Sequence, residues 1–123
     1  MKQIEAYRGC RQNIKVLSNP NRFLIFNLLM TGAHCHCEIA ESLHLSPSLL
    51  THHLTTLCES GLVDATHDSR DARWIHYTIN TSALEDFRNE FLAFTDPTRI
   101  RKRESLCEIK LGAKEKARQT AHR

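Results

Sequence analysis

Glu38-Ile39-Ala40-Glu41-Ser42-Leu43-His44-Leu45-Ser46-Pro47-Ser48-Leu49-Leu50-Thr51-His52-His53-Leu54-Thr55-Thr56-Leu57 sets two short helical patterns end to end. Ile39 and Leu43 put one apolar stripe on a helix over 36–44. Ser46-Pro47 then joins a capping hydroxyl to a proline at the first helical position, where its missing N–H costs nothing. Leu50, Leu54 and Leu57 form the inner face of a second helix over 47–60, and Gly61 stops it. Only the Leu45-Ser46 turn separates the two, which is the helix-turn-helix pattern. Opposite its leucines the second helix carries Ser48, Thr51, His52 and Thr55, with Ser46 at its cap. Hydroxyls and imidazoles of this kind can bond phosphates and base edges in a major groove. A polar face alone describes any solvated helix equally well, so the flanking sequence decides.

Downstream the period changes. Residues 62–66 are short and partly apolar, 68–73 are a polar turn, and 74–79 alternate with Ile75, Tyr77 and Ile79 on one side. Two such runs predict a β-hairpin, a wing directly after the reading helix. Arg70 and Arg73 at its tip suit phosphates or a minor groove. Ser82 with Glu85 reads as a capping box for a last helix over 83–95. There Leu84, Phe87, Phe91 and Phe94 keep a seam spacing until Asp96-Pro97. Upstream, Tyr7, Cys10, Ile14 and Leu17 stripe a helix over 3–18, and Asn19-Pro20 starts the next. Its run 23–30 is apolar nearly all round and is expected to be centrally buried, with Gly32 as terminator.

The expected fold is therefore mainly α with a small β-hairpin, a winged helix-turn-helix. Residues 1–97 are expected to form one DNA-binding and dimerisation domain. The first helix and the Phe-rich last helix are expected to pack against a second copy. Such a homodimer would hold two reading helices about one DNA turn apart, ~34 Å.

The bulk composition agrees with one small domain: 123 residues, 41% hydrophobic, 25% charged. No apolar run approaches the ~18 residues of a membrane helix. Lys2 and Glu5 lead into an amphipathic stretch rather than a secretory signal, so the expectation is a cytoplasmic protein with no membrane partner. In a reducing compartment its five cysteines serve as thiols, ligands or redox sensors rather than disulfides. The net charge of +3 is uneven, because residues 98–123 hold nine Lys/Arg against three acids, leaving residues 1–97 at −3. This basic C-terminal tail either attracts phosphate non-specifically or is simply a solvated, flexible terminus.

His34-Cys35-His36-Cys37 crowds four soft or borderline donors for thiophilic metals and metalloids. On a regular helix residues i and i+2 do not face each other. Cys35 and Cys37 can share an ion only at a helix start or a distortion, and they lie at one, between Gly32 and the third helix. Capture is expected to bend that turn and displace the reading helix just beyond it. Cys10, Cys58 and Cys107 are further sulfur candidates, although Cys10 on its apolar stripe reads equally as a small buried hydrophobe. His44, His53, His67 and His76 read as surface or core polar groups, and charged His52-His53 would suit a phosphate.

Val16-Leu17-Ser18-Asn19-Pro20-Asn21-Arg22 resembles the Leu-x-(Asp/Asn)-x-x-Arg opening of the ArsR/SmtB family of metal-responsive repressors. Cys35-His36-Cys37-Glu38-Ile39 resembles that family's thiolate metal box. Leu45-Ser46-Pro47-Ser48 through His53-Leu54, followed by Leu57-Cys58-Glu59-Ser60-Gly61-Leu62-Val63, is similar to its recognition helix and exit. Arg73-Trp74-Ile75-His76-Tyr77 is similar to its second wing strand. The resemblance spans about residues 14–80. It implies a homodimer that binds double-stranded operator DNA, represses a resistance operon and lets go when an ion binds Cys35 and Cys37. The family's arsenic sensors carry a third cysteine one turn later, where this chain has Ala40. Cys10 or Cys107, from the same chain or a partner, is then the replacement. The last helix also lacks the paired Asp-x-His and His-x-x-Glu/His pattern of the family's zinc sites. Arsenite or antimonite is the implied inducer, followed by cadmium or lead, then thiol oxidation without metal.

An enzyme is not expected, since the chain has no Gly-rich phosphate loop and no nucleophile–base pair. A winged-helix protein-interaction module and a regulator that senses nothing remain the rival readings.

Overall fold

Capping chemistry sets the frame. Asn19 Oδ1 accepts the N–H groups of Asn21 (2.9 Å) and Arg22 (3.2 Å), and Pro20 follows at the first helical position. The computed structural model describes residues 5–102. In chain order these form α1 (Arg8–Leu17), α2 (Pro20–Leu29), β1 (His34–Cys35), α3 (His36–Leu43), α4 (Pro47–Glu59), β2 (Val63–His67), β3 (Ile75–Ile79), α5 (Thr81–Phe94) and a 3-10 turn (Pro97–Arg99). The arrangement is a winged helix-turn-helix. Residues 103–123, which carry most of the basic tail and Cys107, lie outside the described residues.

The sheet order is β1-β3-β2, antiparallel throughout. β2 and β3 are the expected hairpin, in register from Val63 opposite Ile79 to His67 opposite Ile75. β1 was not expected. It pairs His34 with Tyr77 and Cys35 with His76, so the first thiol is tied to the wing by a backbone ladder. Two residues are too few to show any alternation in sequence.

Ile25, Leu29, Ile39, Leu50, Leu54, Leu57, Leu62 and Val63 make one buried core, drawn from α2, α3, α4 and the base of the wing. The inner leucines of α4 are thus buried as expected, while α2 departs from expectation. It buries Ile25 and Leu29 only, and leaves Phe23 (60% exposed), Leu24 and Met30 on the surface. The physical reason is that a single chain supplies neighbours for just one of its faces. Three boundaries also differ. α1 begins at Arg8 because Tyr7 adopts a left-handed conformation (φ 56°), and the Tyr7 ring packs tilted against Phe94, with centroids 5.3 Å apart. α3 ends at Leu43 because His44 is left-handed (φ 56°). α5 is capped by Asn80, whose Oδ1 accepts the N–H of Ala83 at 2.9 Å, and not by the Ser82–Glu85 box. The cap therefore falls two residues early, directly on the end of β3.

Candidate nucleic-acid interface and thiol site

α4 is two-sided. Leu50, Leu54 and Leu57 face the core, while Ser46, Ser48, Thr51, His52 and Thr55 are exposed. The cap hydroxyl of Ser46 accepts the N–H of Leu49 at 3.3 Å. The outer face offers small polar groups on a rigid helix, a form that fits a major groove.

The wing tip is organised by two aspartates. Asp68 accepts the N–H of Arg70 (2.7 Å) and pairs with His76 Nε2 (3.0 Å). The Arg70 N–H, then His76, pull its carboxyl down to about 2. Asp71 takes Arg73 in a fork, Nε to Oδ1 at 3.0 Å and Nη2 to Oδ2 at 2.7 Å. Arg70 Nε stands 3.6 Å from Asp68. Both sequence-predicted wing arginines are therefore exposed but internally paired. Exposed pairs of this kind are worth little, so a phosphate can compete for either guanidinium.

The thiols sit where helix and wing meet. Cys35 is the residue preceding the first turn of α3, extended at φ −86°, ψ 167°. Its N–H donates to Glu38 Oε1 at 2.8 Å, and that bond holds the Glu38 carboxyl below its usual value. Cys35, His36 and Cys37 line a pocket of about 240 Å³ whose other wall is Arg73, Trp74, Ile75 and Tyr77 of the wing. The four cysteines among the described residues are free thiols. Two cysteines lining one cavity supply part of the donor set of a thiophilic ion. Among the described residues no cluster of three His, Cys, Asp or Glu side chains is poised to hold a metal. Cys10 is buried in α1, and burial, then Glu90, raises its thiol pKa. Cys58 is half-buried and raised by burial and Asp64.

Two contacts escaped the sequence. His36 Nε2 shares a hydrogen bond with Thr51 Oγ1 at 3.0 Å, linking the thiol segment to the outer face of α4. Arg22 spans α1 and α4: its Nε donates to the Val16 carbonyl (2.7 Å), and its Nη1 lies 3.3 Å from His53 Nδ1. Guanidinium only donates, so His53 Nδ1 is the acceptor and the ring is neutral. His53 is 4% exposed, which removes it from the phosphate-binding role expected of a charged His52-His53 pair. Burial, then Arg22, then His52 lower its pKa below 6.5. The unfolded chain takes up the proton at about 6.5 and the native state only at a lower pH, so His53 erodes stability as pH falls below 6.5. Melting curves from pH 7.5 to pH 5, on the order of six points, should show that decline, and His53→Asn should flatten it. An identical slope in the variant would assign the decline to other groups.

Residues 19–65 match the family described as "Bacterial regulatory protein, arsR family". The transcriptional repressor SdpR of Bacillus subtilis (strain 168) is 34% identical over 80 residues, covering 65% of this chain and 86% of that protein. This chain belongs to the ArsR family. A second relative, the arsenical resistance operon repressor of Staphylococcus aureus, is 31% identical over 81 residues, 66% of this chain and 75% of that one. A solved structure of a possible transcriptional regulator for arsenical resistance is 28% identical, with a TM-score of 0.57 over 66% of this chain and 81% of that one. The ArsR family transcriptional regulator RHA00566 superposes at a TM-score of 0.63 with 15% identity, covering 76% of this chain and all 100% of that one, a likeness of fold alone. These ArsR relatives are transcriptional regulators and not enzymes. No described helix is long and apolar enough to cross a membrane.

Proposed function

We propose that this ArsR-family regulator represses transcription by binding operator DNA as a homodimer, and that capture of arsenite or antimonite by Cys35 and Cys37 releases it. The observation that carries the reading is the shared pocket: Cys35 and Cys37 both line one cavity walled by the wing and set at the head of α3, whose His36 bonds the reading helix. Trivalent arsenic and antimony favour sulfur donors, and the Staphylococcus aureus relative is named for arsenical resistance. Cys107 is one candidate third sulfur. Cys10 is the other, and since it is buried in α1 its thiol would first have to be exposed. Cadmium and lead take the same soft donors, so a parallel titration ranks them against arsenite.

Dimerisation is supported by apolar surface left open in one chain. Phe91, Leu92 and Phe94 are exposed on α5. Ile14, Leu17, Pro20, Phe23, Leu24 and Phe87 line an apolar groove of about 580 Å³ beside them. An exposed surface of this kind marks an interaction face. On this reading Ser46, Ser48, Thr51, His52 and Thr55 contact the major groove, with Arg70 and Arg73 on flanking phosphates or in a minor groove.

The test is a binding measurement on the DNA upstream of the protein's own gene at several salt concentrations. Replacing phosphate counterions makes affinity fall steeply with salt, by about 10³-fold or more between 50 and 200 mM for six or more phosphate contacts. A shallow slope or no binding favours the protein-interaction reading.

A further inference from the structure

We propose that His36 is the positioning residue that carries ion capture at Cys35 and Cys37 to the reading helix. The inference rests on the sensor reading above and names the device by which that site acts. Its ground is a juxtaposition: the side chain lying in sequence between the two thiols, and lining their pocket, hydrogen-bonds Thr51 on the outer face of α4 at 3.0 Å. The thiol segment thereby touches both DNA-reading elements, α4 through His36 and the wing through the β1–β3 ladder.

The geometry also gives the direction of the change. Cys35 is extended, whereas His36 and Cys37 are already in the first turn of α3. Around a helix, side chains two apart point in very different directions. Along a strand, they share one face and the residue between them points to the opposite face. Two thiolates closing on one ion are best served by drawing 36 and 37 into the extended conformation that Cys35 already has, lengthening β1 by the first turn of α3. That same motion swings the His36 ring to the face away from the thiols. The bond to Thr51 breaks, and the outer face of α4 loses its side-chain link to the thiol segment. The Glu38 carboxylate, which holds the turn through the Cys35 N–H at 2.8 Å, is the opposing restraint.

The experiment measures operator affinity of the full chain, reduced, with and without arsenite, for the parent, His36→Ala, His36→Gln, Thr51→Val and the His36→Ala/Thr51→Val double variant. Ion capture is read separately from thiolate-to-arsenic absorbance. His36→Ala should capture arsenite as the parent does, with ion-free operator affinity lowered about tenfold and the further arsenite-induced loss reduced to about twofold or less. His36→Gln, whose side-chain amide can reach the same hydroxyl, should restore most of the response. The double variant should respond no less than Thr51→Val alone, because the two changes remove one shared bond. A full, parent-sized response in His36→Ala overturns the proposal. So does a His36→Ala variant that no longer captures arsenite, which would make His36 a ligand. A parent whose operator binding ignores arsenite overturns the sensor reading itself, and the link with it, so the two failures are distinct.

Discussion

Cys35→Ser and Cys37→Ser will each yield a regulator that stays on its operator in arsenite. A serine hydroxyl is a hard, protonated donor and does not replace a thiolate toward arsenic. Each substitution removes one of the two donors that share the α3 pocket. Neither residue is among those assigned to DNA contact, so ion-free operator affinity should match the parent. Coupling between an effector and a second site is typically about 5- to 150-fold in affinity. The parent should fall within that range on adding arsenite, and each variant should change by about twofold or less. Cys58→Ser is the control, since Cys58 does not line that pocket. Quantitative shift assays on reduced protein check all four. A parent-sized response in both Cys35→Ser and Cys37→Ser would contradict the sensor assignment.

Leu57→Ala should remove about 3 kcal/mol of stability, because it opens a cavity where the surrounding helices cannot collapse. Leu57 is fully buried in the one core cluster, against side chains from α2, α3 and the wing. For a domain of this size that loss is on the order of 15 °C in melting temperature. Thr55→Ala, two residues away on the exposed face, should leave stability within about 0.5 kcal/mol and weaken operator binding instead. Thermal melts must be compared at one protein concentration, since self-association shifts the transition. Equal melting temperatures for parent and Leu57→Ala would mean that α4 does not pack through that face.

How far these features were legible in the chain follows from how local their causes are. Asn19-Pro20 and Ser46-Pro47 announce α2 and α4 because a cap acts on the N–H groups within three residues of itself. The leucines of α4 repeat at the helical period, so its buried face could be read directly. β1 could not, because its two residues become a strand only when β3 supplies the partner. The exposed Phe23 and Leu24 mislead in the same way, since an apolar composition does not say whether the neighbour is this chain or another. At the site, the Cys-His-Cys spacing was visible, and the pocket it shares with Trp74 and Tyr77 was not. His36–Thr51 and Arg22–His53 join residues 15 and 31 positions apart and belong wholly to the tertiary fold. The Asn19-to-Arg22 motif did single out Arg22, but no one-dimensional pattern pairs it with a histidine on α4.

The most direct test of thiol-controlled DNA release is fluorescence anisotropy of labelled operator bound to the reduced, full-length protein during a stepwise arsenite titration. On the proposed function, anisotropy should fall toward that of free DNA as arsenite-thiolate absorbance reaches saturation, with the two curves sharing one midpoint. Saturated thiolate absorbance with the operator still fully bound would contradict it.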